Sequence, residues 1–345
     1  MLSKVLLGSK SAAGVSSSSY LGLCSVASPY VLIYAFSPSG FGTKYSDPAT
    51  LPPGISDGGA SNFNGTVIAV ASRTSPFVVA YPWSSSGFGT KYSDPATLPE
   101  GRANGVAFSP NGSYLAAALS VSPYVNVYNW SSGFGSKFSN PATLPTGAGT
   151  FVSFNPNNSV IAVSHSNSPY ISAYPWSGSG FGTKYSNPST LPTGTGNCVA
   201  FSPAGTEIAI SHSVSPFISV YSWSSGFGTK FSNPATLPSN GGNGVTFNPA
   251  GTVIATTDAN SPYIHAYAWS GSGFGTKYSN PATLALDVSR KVAFSPSSNE
   301  IAHASASSPY VHAWPWSNST GFGTKFSNPS TLATNQGLAV FFAPA

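Results

Sequence analysis

The tripeptide Ser-Pro-(Tyr/Phe) occurs seven times, with its proline at Pro29, Pro76, Pro123, Pro169, Pro216, Pro262 and Pro309, always 46 or 47 residues after the last. A fixed period of this length constrains the fold strongly, because each repeat must be one supersecondary unit that buries its faces against copies of itself. A second block, Gly-Phe-Gly-(Thr/Ser)-Lys-(Tyr/Phe)-Ser-(Asn/Asp)-Pro, follows each tripeptide and carries Lys44, Lys91, Lys137, Lys184, Lys230, Lys277 and Lys325. Seven such units account for residues 19–345, which leaves residues 1–18 as an N-terminal tail outside the repeat.

Within one unit, Gly105–Phe108 reads as a strand that runs into the Pro- and Gly-bearing turn Ser109–Gly112. Tyr114–Leu119 is a second strand, Tyr124–Trp130 a third and Ser136–Ser139 a fourth, ended by Asn140-Pro141. Helix signals are absent. Runs such as Val199-Ala200-Phe201 and Ile208-Ala209-Ile210 are continuously apolar, as strands covered on both faces must be. Four short strands per repeat, covered on both sides, define the blade of a propeller, so the expected fold is all-β: a seven-bladed β-propeller of four-stranded antiparallel blades. Leu338–Pro344 matches the first strand of a unit and Tyr20–Leu23 the second. The C-terminal strand is therefore expected to pair with the N-terminal blade and close the ring.

Composition narrows the function. Of 345 residues only 6% are charged while 13% are aromatic, the reverse of a disordered chain. A net charge of +5 spread over that length is too weak a field for a nucleic-acid binder. Two cysteines exclude a disulfide scaffold, and no apolar run reaches the length of a membrane span. Val5-Leu6-Leu7 is too short for a signal-peptide core, so neither cleaved secretion nor membrane insertion is expected.

The pieces Val-Ala-Phe-Ser-Pro-x-Gly (Val199–Gly205), Ile-Ala-x-Ser (Ile161–Ser164) and Tyr-x-Trp-Ser (Tyr174–Ser177) resemble WD40-like propeller repeats, although the Trp-Asp ending and the Gly-His dipeptide are missing. The Gly-Phe-Gly-Thr-Lys-Tyr-Ser-Asn-Pro-Ala-Thr-Leu-Pro unit further resembles repeats in predicted proteins of tailed bacteriophages. That resemblance implies a virion or host-recognition setting and no chemistry.

Each candidate site has a plainer rival. The seven lysines suggest a ring for an anionic partner, but outer strands about 4.8 Å from their neighbours place them roughly 17 Å apart. Screening over about 8 Å then makes them act singly, as solvated or locally bonded guards of an edge. Trp83, Trp130, Trp176, Trp223, Trp269 and Trp316, with Phe36 at the equivalent place, suit sugar stacking or packing between blades, and packing is the stronger reading. His165, His212 and Asp258 share one position in consecutive blades, roughly 9 Å apart by strand spacing. Zinc ligands lie within about 4 Å of each other, so turn roles are expected, and His265 and His312 follow the same argument. The eight carboxylates form no recurring pair for hydrolysis, and Cys24 and Cys198 read as small buried residues.

The units differ most at Ala285–Lys291 and at Glu100–Arg102, in connections expected on the face that also carries Arg73, His165, His212 and Asp258. A partner-contact surface is therefore expected from Arg73, Glu100, Arg102, His165, His212, Asp258, Asp287, Arg290 and Lys291. The functional expectation is a non-enzymatic structural or recognition propeller without cofactor or metal. It would sit in a phage virion, or in the cytoplasm if not phage-encoded, and contact other virion proteins through Met1–Ser18. The rival is a lectin-like propeller that binds a host-surface glycan. Nucleic acid is not an expected partner.

Overall fold

The computed structural model describes residues 19–344, and the tail expected at Met1–Ser18 lies outside the described residues. These residues form seven four-stranded antiparallel sheets without a helix. Blade one takes its inner strand from the chain end, Gly337–Pro344, which pairs with Ser19–Ser25. The inner strands of blades two to seven are Ser56–Ser61, Ala103–Phe108, Gly149–Phe154, Gly196–Phe201, Gly244–Phe247 and Ser289–Phe294. Each touches the next, and Gly337–Pro344 touches both Ser289–Phe294 and Ser56–Ser61. The seven-bladed ring expected from the repeat is thus closed by the two ends of the described chain.

Blade three shows why the sequence folds this way. Phe108 pairs with Leu115 and Leu115 with Tyr128 on one face, Ala107 with Ala116 and Ala116 with Val127 on the other, so apolar residues line both faces of three strands. Val67 and Ala69 of blade two pack on Leu115, Ala117 and Trp130 of blade three, and each further junction repeats the arrangement. Leu21 and Leu23 of blade one meet Ala302 and Ala304 of blade seven across the last junction. The third strand begins at Val125, because Tyr124 sits at φ 71° in the turn after a cis Ser122-Pro123 bond. The same cis bond and left-handed aromatic recur in every blade. The fourth strand is Phe134–Lys137, earlier than Ser136–Ser139, because Phe134 pairs with Trp130 and its ring meets the indole edge-on at 5.0 Å.

That contact is half of a clamp between blades. Trp176 lies edge-on to Phe181 of its own blade at 5.0 Å and to Phe138 of the preceding blade at 4.9 Å. Trp83, Trp223 and Trp316 are held in the same way by Tyr45, Tyr185 and Tyr278 of the preceding blades. The tyrosine two residues before the tryptophan adds a polar tie. Tyr128, Tyr174, Tyr221 and Tyr267 donate their hydroxyls to the carbonyls of Thr97, Thr143, Thr190 and Thr236 of the preceding blades.

Candidate functional site

The residues that differ between blades converge on one end of the central channel. One equivalent position at the start of each inner strand reads Asp57, Asn104, Thr150, Asn197, Asn243, Arg290 and Leu338, and all seven line a basin of about 740 Å³. Arg73, Arg102 and Lys291 line it as well. Four of the seven carry a polar belt around the wall. Asn104 Nδ2 donates to the Gly149 carbonyl at 2.7 Å, and Thr150 Oγ1 to that of Gly196 at 2.5 Å. Asn197 Nδ2 donates to the Gly242 carbonyl and Asn243 Nδ2 to that of Ser289, both at 2.8 Å. Each bond joins one blade to the next, and the belt breaks at Arg290, Leu338 and Asp57.

Charge fills the gap. Arg73 grips Asp57 through Nε and Nη2 at 2.9 and 2.8 Å, and Arg102 Nε reaches the same carboxylate at 2.9 Å. The bonds to Asp57 raise the Arg73 guanidinium above its usual range. Arg290 has no such partner: its side chain makes no hydrogen bond among the described residues, and its Nε is shut off from solvent as well. The basin thus holds four cationic side chains and one carboxylate, which only Arg73 and Arg102 bond. Lys291, the next residue, reaches across the channel and donates to the carbonyls of Asn197 and Asn243 at 2.6 and 2.9 Å. Its ammonium lies over the Phe151 ring, 5.0 Å from the centroid. Burial pulls its pKa below the ordinary lysine range. Lys291 lines both the basin and a second chamber of about 160 Å³, which Phe151, Cys198, Val245 and Ala339 also line.

The expected partner surface divides accordingly. Arg73, Arg102, Arg290 and Lys291 come together, but in a concave basin. Glu100 instead pairs with Lys137 at 2.5 Å, and Asp287 accepts from the Val288 amide and from the Ser307 hydroxyl in the turn between the second and third strands of blade seven. His165, His212 and Asp258 are fully buried and are not available to a partner. The two histidines each meet a serine of the neighbouring strand, Ser172 or Ser219, at 3.0 Å. Asp258 accepts from the Ser239 amide and from His265, both at 2.8 Å. Ser239 Oγ and Asp258 both address His265 Nε2 while Nδ1 has no partner, so this Ser-His-Asp group is not a proton relay, which needs both ring nitrogens.

The repeated lysines are locally bonded. Lys44 pairs with Asp47 at 2.5 Å and Lys91 with Asp94, while Lys184, Lys230, Lys277 and Lys325 reach the asparagine three residues on at 2.5 to 2.6 Å. The six tryptophans are at most 6% exposed, which makes them packing residues. Among the described residues no three His, Cys, Asp or Glu side chains converge as metal ligands, and no helix is long and apolar enough to cross a membrane. The basin positions Asp57, Asn104, Thr150, Asn197 and Asn243 were not singled out from the sequence. The signal of the last four is a polar residue two places before the Val of Val-x-Phe in an otherwise apolar strand, whereas Asp57 stands two places before Gly59-Ala60-Ser61 and lacks it.

No known protein family matches the sequence, and no curated protein resembles it in sequence. Solved structures do resemble the fold. A candidate 6-phosphogluconolactonase of Bacteroides fragilis superposes with a TM-score of 0.74 at 12% identity, covering 95% of this chain and 98% of its own. A similar candidate from Bacteroides uniformis gives 0.72 at 13% identity, with 95% and 100% covered. A periplasmic gluconolactonase of Pseudomonas aeruginosa gives 0.69 at 15% identity, with 95% and 99% covered. These findings correct the functional expectation. The neighbours whose names state an activity are lactonases, which contradicts the expectation of a non-enzymatic virion or lectin-like module. The WD40 resemblance reduces to the architecture, and the comparisons lend no support to phage kinship or to a virion location. At 10–15% identity what the chain shares with these structures is the fold, a seven-bladed propeller.

Proposed function

We propose that the chain hydrolyses sugar-acid lactones in the channel basin. The observation that carries this reading is the basin itself, a concave polar site lined by Arg73, Arg102, Arg290, Lys291 and the carboxylate of Asp57. The lactonase names among its structural neighbours supply the reaction class. Opening a lactone needs a positive group where the carbonyl oxygen gains charge, and an acceptor for the proton of the attacking water. Arg102 fits the first task, since its Nε holds Asp57 while its terminal nitrogens bond to no described residue. Asp57 is the one carboxylate on the wall and fits the second. Among the described residues no donor reaches the carboxamide oxygens of Asn104, Asn197 and Asn243, whose nitrogens are held in the belt. These oxygens are acceptors for ligand hydroxyls.

A pH-stat assay with δ-gluconolactone and 6-phosphogluconolactone tests this. The wild-type chain should accelerate ring opening of at least one of them, and Asp57→Asn or Arg102→Gln should lower kcat by about 10²–10³-fold, the usual loss for a group that stabilises developing charge. Hydrolysis no faster than the spontaneous reaction for every aldonolactone tried would refute the reading.

A further inference from the structure

We propose that the basin takes a ligand with an anionic tail, held at Arg290, so that the opened product carries a negative group at each end; this rests on the lactonase reading above. The basin has two positive poles. Arg290 forms one, in blade seven beside Lys291. The Arg290 Nε is walled from solvent without a partner and the terminal nitrogens bond to no described residue, a deficit that a ligand anion in the basin would fill. Arg73 and Arg102 form the other, around blades two and three, where Asp57 cancels one of their two charges. In a ring of seven, the third and seventh blades are as far apart as blades can be. The wall between the poles offers the oxygens of Asn104, Asn197 and Asn243. A volume of about 740 Å³ lies in the range of drug-sized ligands, so an extended hydroxylated chain has room to reach from pole to pole.

The chemistry sharpens the point. Water adds to the carbonyl carbon at the Arg102 pole, the ring C–O bond breaks, the ring oxygen takes a proton to become a hydroxyl, and the new carboxylic acid loses its proton. Ring opening thus creates a second anion facing the second pole while the tail stays on Arg290. The product is held more tightly than the substrate, and its departure is slowed.

Titration calorimetry of the full chain without turnover tests this with D-glucarate, carboxylate at both ends, 6-phosphogluconate, phosphate at one end, and D-gluconate, a single carboxylate. Both dianions should bind at least tenfold more tightly than gluconate. Arg290→Gln and Arg102→Gln, each checked for an unchanged melting temperature, should each reduce the dianions to the level of gluconate, and Arg290→Lys should restore part of the difference. The stronger of glucarate and 6-phosphogluconate identifies the tail as carboxylate or phosphate. Equal affinity for glucarate, 6-phosphogluconate and gluconate, or a dianion preference that survives Arg290→Gln, would overturn the proposal even if lactones are hydrolysed. A dianion preference lost in Arg290→Gln but without lactone hydrolysis would support the two poles and refute the lactonase reading alone.

Discussion

Four buried histidines set the response of this fold to acid. Burial lowers the pKa of His165, His212 and His303 from 6.5 to about 4, and that of His312 to about 2 with a further push from His303. His303 and His312 stack at 5.1 Å, with Trp314 5.3 Å from His303. His303 Nε2, both nitrogens of His312 and the Trp314 indole nitrogen have no partner among the described residues. These rings are held neutral, so below pH 6.5 the unfolded chain binds protons that the folded chain refuses, and stability falls as pH falls. Full stability is present above about pH 6.5. It is lost down to about pH 4 for His165, His212 and His303 and to about pH 2 for His312, each histidine contributing up to about 1.4 kcal/mol per pH unit. Replacing His303 and His312 by valine copies the Val70–Val79 pair at the same place in blade two. Urea unfolding from pH 7.5 to 4.5 should then show a slope about half that of the parent, and an unchanged slope would show that these two rings do not control it.

At the scale of the element, the repeated motif is a device for joining blades. The Phe of Gly-Phe-Gly and the aromatic after the lysine clamp the tryptophans, and the strand-three tyrosine reaches back to the preceding connection. Trp176→Ala should therefore cost about 3–5 kcal/mol, as large aromatic truncations in cores do. Tyr174→Phe removes one interblade hydrogen bond and should cost about 1 kcal/mol. Tyr81→Phe should cost almost nothing, because the Tyr81 hydroxyl has no partner among the described residues. Chemical denaturation of the three variants checks this order, and equal losses for Tyr81 and Tyr174 would refute the role given to the hydroxyl. The number of blades and the inner three strands were legible in the sequence because their pattern recurs seven times. The start of the fourth strand was not, since the Trp130–Phe134 ring contact, rather than strand propensity, sets its register. The basin was half legible. Arg102, Arg290 and Lys291 stood out where the units depart from one another, whereas the asparagines look like ordinary strand-edge polar residues until the ring brings them to one mouth.

For the whole molecule, the joint of the ring and the functional basin are one problem. Blade one is assembled from chain segments far apart in sequence, Leu21 pairing with Phe342 and Leu23 with Val340. Val26, Asn335, Gln336 and Leu338 of that blade also line the basin, so the wall between the two positive poles depends on a strand held by noncovalent pairing alone. Removing residues 337–345 would strip the inner strand from blade one, leave unpaired the backbone groups of Ser19–Ser25 that face it, and uncover Leu21 and Leu23, which are fully buried when the ring is closed. An apolar, unpaired edge of this kind recruits other chains. The truncated protein should melt at lower temperature, sediment as oligomers and lose affinity for dianions in the basin. A synthetic peptide of residues 336–345 added in excess should restore monomeric sedimentation and dianion binding together, because both require the same strand. Recovery of the monomer without recovery of binding would separate closure from the basin, and a truncated chain that stays monomeric with an unchanged melting temperature would show that the ring does not depend on its joint.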